Sequence, residues 1–211
     1  MKIKLLSAAL GLALTAGAIN ANAQKTFKSG VISFPTDVRG QPADAKQYFT
    51  PDSSATVVTF GAGTFKILTA ATHKYLAVIL DIPVASIKKA GVATPAELEE
   101  GMNAIPTFTY TATTETKQIS GFACTKIVAK DSKSGKTYDV WVTKDVSLPE
   151  VAMPYYYKGI DGFPIQYTGF NQGQEVSITI KTITGDAAPA GTFAIGKDFT
   201  VGTLADLTAG Q

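Results

Sequence analysis

Two side chains in this sequence are natural partners for nucleophilic chemistry, and each occurs once: Cys124 in GFACTKIV and His73 in TATHKY. A thiol becomes a nucleophile when a base or a positive field lowers its pKa, and a folded chain can bring a histidine to it from far away in sequence. No residue around Cys124 supplies such a field, and His73 precedes a strand with no acidic neighbour. An unpaired cysteine is ordinarily buried as a small hydrophobe, and a histidine in a turn ordinarily meets water. Asp131, Asp139 and Asp145 are separated by a turn and a strand and lack calcium-loop spacing. One cysteine and one histidine make no zinc set. The GAG at 61–63 has no Lys-Ser/Thr tail and no following helix, so it reads as a hairpin turn and not as a phosphate loop. The sequence therefore predicts a noncatalytic protein with no metal and no cofactor.

The elements that would position these residues are mostly strands. Val, Ile, Thr, Phe and Tyr are plentiful and Gly and Pro punctuate them. Strands are expected at Thr26–Pro35, Lys46–Phe49, Ala55–Phe60, Thr64–Thr69, Lys74–Leu80, Phe108–Glu115, Ile119–Lys130, Lys136–Thr143, Ile165–Thr168 and Glu175–Ile183. In QEVSITIKT, Val176, Ile178 and Ile180 alternate with polar residues, a period of two that puts one face on a core and one in water. The period changes in TPAELEEG, where Thr94, Pro95 and Glu97 make a capping-box start and Gly101 marks a stop. A short helical turn is also expected in VASIKKAG. KDSKSGKTYD reads as a charged hairpin loop turning at Gly135. Trp141 shares its face with Asp139 and Thr143, which leaves it either a core anchor or a groove wall.

The ends of the chain speak to location. Lys2 and Lys4, an apolar run from Leu5 to about Ile19 and the small-residue pattern at 21–23 predict a signal peptide over 1–23, cleaved before Gln24. The run is short for a membrane span, no second candidate follows, and no cysteine offers a lipid anchor. An exported protein of the periplasm or exterior is expected, with no integral span in the mature chain. Of the 19 basic residues in the chain, Lys2 and Lys4 belong to the leader, which leaves 17 against 17 acidic ones. A neutral chain has no field to attract nucleic acid or an anionic surface. Residues 24–211 suffice for one domain, with 187–211 as a partly docked tail in which Phe193, Ile195 and Phe199 make the docking contacts.

The stretch ISGFACTKIVAKDSKSGKTYDVWVTKDV resembles a hairpin of an exported bacterial family known as domain-of-unknown-function 4412. In that family a strand reading Gly, aromatic, x, Cys, x, Lys precedes a charged turn and a Val-Trp-x-Thr strand. The matching positions here are Gly121, Phe122, Cys124, Lys126, Val140, Trp141 and Thr143. GFPIQYT resembles the next family segment, and GTFAIGKDFT resembles its closing phrase with Gly196 in place of a proline. The resemblance implies a fold similar to periplasmic lipoprotein and lipid carriers. That fold is mainly β (α+β): a strongly curved antiparallel sheet forming a half-barrel, with short helices covering the concave side. It implies no activity.

A half-barrel of this kind would enclose a cavity lined by alternate strand residues. The candidate ligand-binding residues are Phe65, Ile67, Tyr75, Ile79, Met102, Phe108, Tyr110, Phe122 and Trp141. MPYYYKGIDGFPIQY supplies a second group, Tyr155, Tyr156, Tyr157 and Phe163, as a rim or interaction surface or as a loop packed over the sheet. Two functions follow as expectations. One is a carrier of a lipid or other apolar small molecule; the other is an envelope interaction module that meets a protein through an exposed aromatic surface.

Overall fold

A computed structural model describes residues 24–38, 40–171 and 174–208. The leader expected over 1–23 and the last residues of the tail, 209–211, lie outside the described residues. The elements run β1 (Lys25–Thr26), β2 (Gly30–Val38), β3 (Gln41–Phe49), β4 (Ser53–Phe60), β5 (Gly63–Ala70), β6 (Leu76–Ile82), β7 (Ile87–Val92) and α1 (Pro95–Ala104). They continue with β8 (Phe108–Ile119), β9 (Phe122–Asp131), β10 (Thr137–Thr143), β11 (Val146–Ser147), β12 (Phe163–Asn171), β13 (Gln174–Thr179), β14 (Thr182–Thr184), β15 (Thr200–Thr203) and α2 (Leu204–Thr208). Short three-ten turns occur at Pro83–Ala85, Glu150–Ala152 and Tyr155–Tyr157.

Two large open sheets result. The eight-stranded one has the order β14-β2-β3-β4-β5-β6-β7-β15 and the five-stranded one β13-β12-β10-β9-β8; β1 and β11 form a short parallel pair. From β2 to β7 each strand turns straight back on its predecessor. At Phe60–Gly63 the two-residue turn is made by Gly61, whose φ of 55° glycine adopts without steric cost, and Ala62. Between β9 and β10 the turn is held by one carboxylate. Asp131 accepts from the Lys133 and Ser134 backbone N–H groups at 3.1 and 3.2 Å and from the Ser134 hydroxyl at 2.5 Å. These hydrogen bonds, with that from the Ser134 hydroxyl foremost, hold its carboxyl below the usual aspartate range.

The first core lies between the sheets. Ile32 and Phe49 of the larger sheet meet Ile127, Ala129, Val140, Val142, Ile165 and Tyr167 of the smaller, with Ala152, Tyr157 and Ile160 of the connecting segment. Full burial of an aliphatic or aromatic side chain of this size is worth about 1.5–3 kcal/mol. A second core covers the opposite face of the larger sheet. There the register row Ala55, Leu68, Ala77 and Val92, with Ile79 and Ala90 beside it, packs under Phe193, Ile195 and Phe199.

The helix expected at 94–101 is present. Thr94 accepts from the Glu97 N–H at 3.2 Å while the Glu97 carboxylate accepts from the Thr94 N–H at 2.7 Å. The helix runs through Gly101 to Ala104, because a single glycine costs a helix only about 1 kcal/mol. The helical turn expected in VASIKKAG is restricted to Pro83–Ala85. Ile87–Val92 is instead a strand, because pairing with β6 places Ala90 and Val92 in the second core.

The expected half-barrel is not found. The sheets are neither strongly curved nor closed, and the larger one ends in two different edge strands, β14 and β15. α1 buries none of its residues and shields no concave side. The physical reason is visible in LAVILDI. A near-continuous apolar run presents apolar side chains to both faces of its strand: in β6, Ala77 and Ile79 enter the second core, while Val78 and Leu80 turn to the other face and are half-buried. A sheet with material on both faces need not curl around a single core.

Candidate functional site

The face of the larger sheet that meets the five-stranded sheet is only partly covered by it. One register row on this face reads Ile32, Gln47, Thr56, Ile67, Val78, Gly91. Ile32 is buried in the first core, and at the far end a Cβ on Gly91 would meet Leu207 of α2 at 2.7 Å. Between these ends the row is half-buried. The neighbouring row places Ala45, Val58, Phe65 and Leu80 side by side. Val58, Phe65, Ile67, Val78 and Leu80 therefore form an apolar strip that belongs to neither core.

At its hairpin end the strip opens into a groove of about 530 Å³ lined by Val38, Gln41, Phe60, Phe65, Leu80 and Ile82. The Phe60 ring lies so close over Gly63 that a Cβ there would come within 2.8 Å of it. This contact turns the ring toward its own hairpin and leaves Phe65 and Leu80 as the floor. The polar side chain lining the groove is Gln41, so recognition there rests on apolar fit.

The residues singled out from the sequence fall into several places. Phe65 and Ile67 lie on the strip. Ile79, 3 % exposed, faces the second core, and Tyr75 stands exposed before β6. Met102 is half-buried on α1. Phe108 stacks on Tyr157 with centroids 5.3 Å apart, and the Tyr110 hydroxyl donates to the Lys158 carbonyl at 3.3 Å. Phe122 packs at the edge of the first core. Trp141, partly buried, packs against the first core and has the Lys117 ammonium 4.0 Å from its ring centroid, a cation–π contact. Phe163 and Tyr157 are core residues, Tyr156 packs edge-on to Phe170 at 5.2 Å, and Tyr155 packs edge-on to His73 at 4.5 Å. The fold thus unites Phe108, Tyr110, Tyr156 and Tyr157, and separately Phe65 and Ile67, and does not bring the nine candidates around one cavity.

Val38, Val58, Phe60, Val78, Leu80 and Ile82 complete the strip and groove and were not singled out. Their signal is the other parity of the same apolar runs, which tells inside from outside only once a second layer is in place.

The reactive residues are also accounted for. Burial, with the Asp145 charge adding to it, pushes the Cys124 thiol up to about 11, the reverse of activation. His73 adopts φ 54° and lines a pocket of about 220 Å³ with Glu150, Tyr155 and Lys158. Glu150 and Lys158 form an exposed ion pair there at 2.9 Å. Among the described residues no cluster of three or more His, Cys, Asp or Glu side chains could hold a metal ion. No helix among them is long and apolar enough to cross a membrane.

No protein-family model matches this chain, and no curated protein matches it. Among solved structures it is similar to PNGF-II in two crystal forms. In the C2 form the identity is 13 % with a TM-score of 0.48, and in the P21 form 11 % with a TM-score of 0.50. Each match covers 86 % of this chain and 32 % of the PNGF-II chain. The chain thus spans about a third of the length of the structures it matches, and the likeness concerns the fold alone.

These findings correct two expectations. The resemblance to the domain-of-unknown-function 4412 family fails, since no family model matches and the sheets do not form the half-barrel it implied. The reading as a carrier of a lipid-like ligand fails with it, as does its alternative of an exposed aromatic surface. A carrier of this kind needs a curved sheet closing over a cavity, and the apolar groove here is an open trough on an uncurved sheet. The tyrosine run is packed: Tyr157 is buried and Tyr155 and Tyr156 are half-buried.

Proposed function

We propose that this chain is an exported, noncatalytic binding module that docks a protein partner on the apolar strip of its eight-stranded sheet. The observation that carries this reading is that Val58, Phe65, Ile67, Val78 and Leu80 share one face, are half-buried, and pack into neither core. A contiguous apolar patch between two covered regions marks an interaction surface more often than a defect of packing. The formally neutral balance of 17 against 17 charges after the leader gives no electrostatic steering. The partner is therefore chosen by apolar shape, and its matching surface is an uncharged ridge that enters the groove between Phe60 and Ile82.

Site-specific photo-crosslinking in the cells that make the protein tests this. A photoreactive residue at position 65 or 80 is expected to give one protein adduct of defined mass, while one at exposed Thr111 on the five-stranded sheet gives none. Leu80→Glu, placed with a crosslinker at 65, is expected to abolish the adduct while leaving the melting temperature within a few degrees. Lipid adducts alone, or equal yields from 65 and 111, would sink the reading.

A further inference from the structure

The opposite face of the larger sheet holds a second, smaller concavity. Its floor is β5 and β6 and its roof is the 191–199 stretch of chain; Thr64, Lys66, Ile79, Asp81, Ala194 and Phe199 line a slot of about 260 Å³. Ile79 and Phe199 are its apolar lining, and Lys66 and Asp81 add two opposite charges beside Ile79.

Those charges do not meet each other. Lys66 is the register partner of Ile79, so Asp81 lies diagonally across from it on the same face, about 7–8 Å away by backbone spacing. Lys66 donates to the Gly191 carbonyl at 3.5 Å, a long contact, and burial lowers its pKa. One carboxylate oxygen of Asp81, Oδ1, is fully buried and accepts from no donor of the chain. Lys88, directly across the register from Asp81, hydrogen-bonds Asp198 of the roof, and the Asp81 charge adds only a lesser pull on it. A carboxylate oxygen buried with no donor is costly, and a partly desolvated ammonium with one weak acceptor is costly too. The buried Oδ1 has no accessible surface and stays as it is, but Asp81 and Lys66 both line the slot, and a small molecule with a cation at one end and an anion at the other matches these two opposite charges.

We propose that the slot under the 191–199 stretch binds a free α-amino acid with a compact aliphatic side chain. The ligand's ammonium meets Asp81, its carboxylate meets Lys66, and its side chain lies between Ile79 and Phe199. The volume is below the range of drug-sized sites and suits a single amino acid. The slot lies on the face away from the docking strip, so neither assignment depends on the other.

Nuclear magnetic resonance titration of the exported chain with L-valine tests the assignment. Its two half-ligands, isobutylamine and isovalerate, serve as separate probes of the two charges. Valine is expected to shift the amides of Ile79, Gly191 and Ala194 saturably at millimolar concentration, with either half-ligand binding at least about thirtyfold more weakly. Asp81→Asn is expected to lose the response to isobutylamine and keep that to isovalerate, and Lys66→Met the reverse. Spectra that superpose elsewhere show that each variant is folded. Absence of a saturable valine shift, equal shifts with glycerol, or a variant that loses both half-ligands or neither overturns the proposal.

Discussion

The Tyr157 hydroxyl, fully buried between the sheets, donates to the Thr168 carbonyl at 2.9 Å and so ties the connecting segment to strand β12. Its ring stacks on Phe108 and meets Tyr167 edge-on at 5.6 Å. Tyr157→Phe is expected to cost about 1 kcal/mol through the lost hydrogen bond, and Tyr157→Ala about 3–5 kcal/mol through the cavity left behind. Urea unfolding of the two variants checks both values.

Burial also sets how this protein meets alkali. It pushes Tyr110 and Tyr156 up to about 12 and holds Tyr157 and Tyr167 well above the ordinary tyrosine range. An unfolded tyrosine ionises near pH 10. The stability these groups contribute is complete below about pH 10 and drains away toward pH 12, since over that window the unfolded chain releases protons that the folded chain retains. Stability measured by denaturant is expected to fall steeply above about pH 10, with tyrosinate absorbance rising together with unfolding. A flat profile to pH 12 would contradict the burial of these phenols.

Cys124 is 2 % exposed, and burial pushes its thiol up to about 11. At pH 8 the thiol is held in its protonated form, and access to it is blocked as well. A disulfide reagent is expected to leave the native protein unlabelled for hours and to label it at once in denaturant. Cys124→Ser, which buries a hydroxyl, is expected to cost about 1–3 kcal/mol. Rapid native labelling would revive Cys124 as a reactive group.

Gly91 decides whether the end of the chain stays on the sheet. A Cβ there would lie 2.6 Å from the Thr203 carbonyl and 2.7 Å from Leu207. Gly91→Ala is expected to lose about 1–3 kcal/mol through overpacking and to open the stretch after residue 199 to protease. Gly101→Ala, in exposed α1 with open space around the position, is expected to gain about 0.5–1 kcal/mol by helix propensity. Proteolysis of the two variants side by side separates docking from a general effect of adding a methyl group.

Local signals were legible in the sequence wherever neighbours along the chain supply the physics. The Thr94–Glu97 capping box and the hairpin turning at Gly135 each follow from a few adjacent residues, whereas the single alternating strand read over 175–183 is overturned: Val176 is 41 % exposed and the run divides into β13 and β14, which join different sheets. Three matters lay beyond its reach. Ile87–Val92 becomes a strand because β6 offers it a ladder; Trp141 meets Lys117 because β8 lies next to β9; and Ala77 and Ile79 are covered because the 191–199 stretch returns to that face. A period of two reveals that a strand has two faces and is silent on what each face meets. Partners far apart in sequence decided that here, leaving one apolar row uncovered and the Asp81 oxygen without a donor.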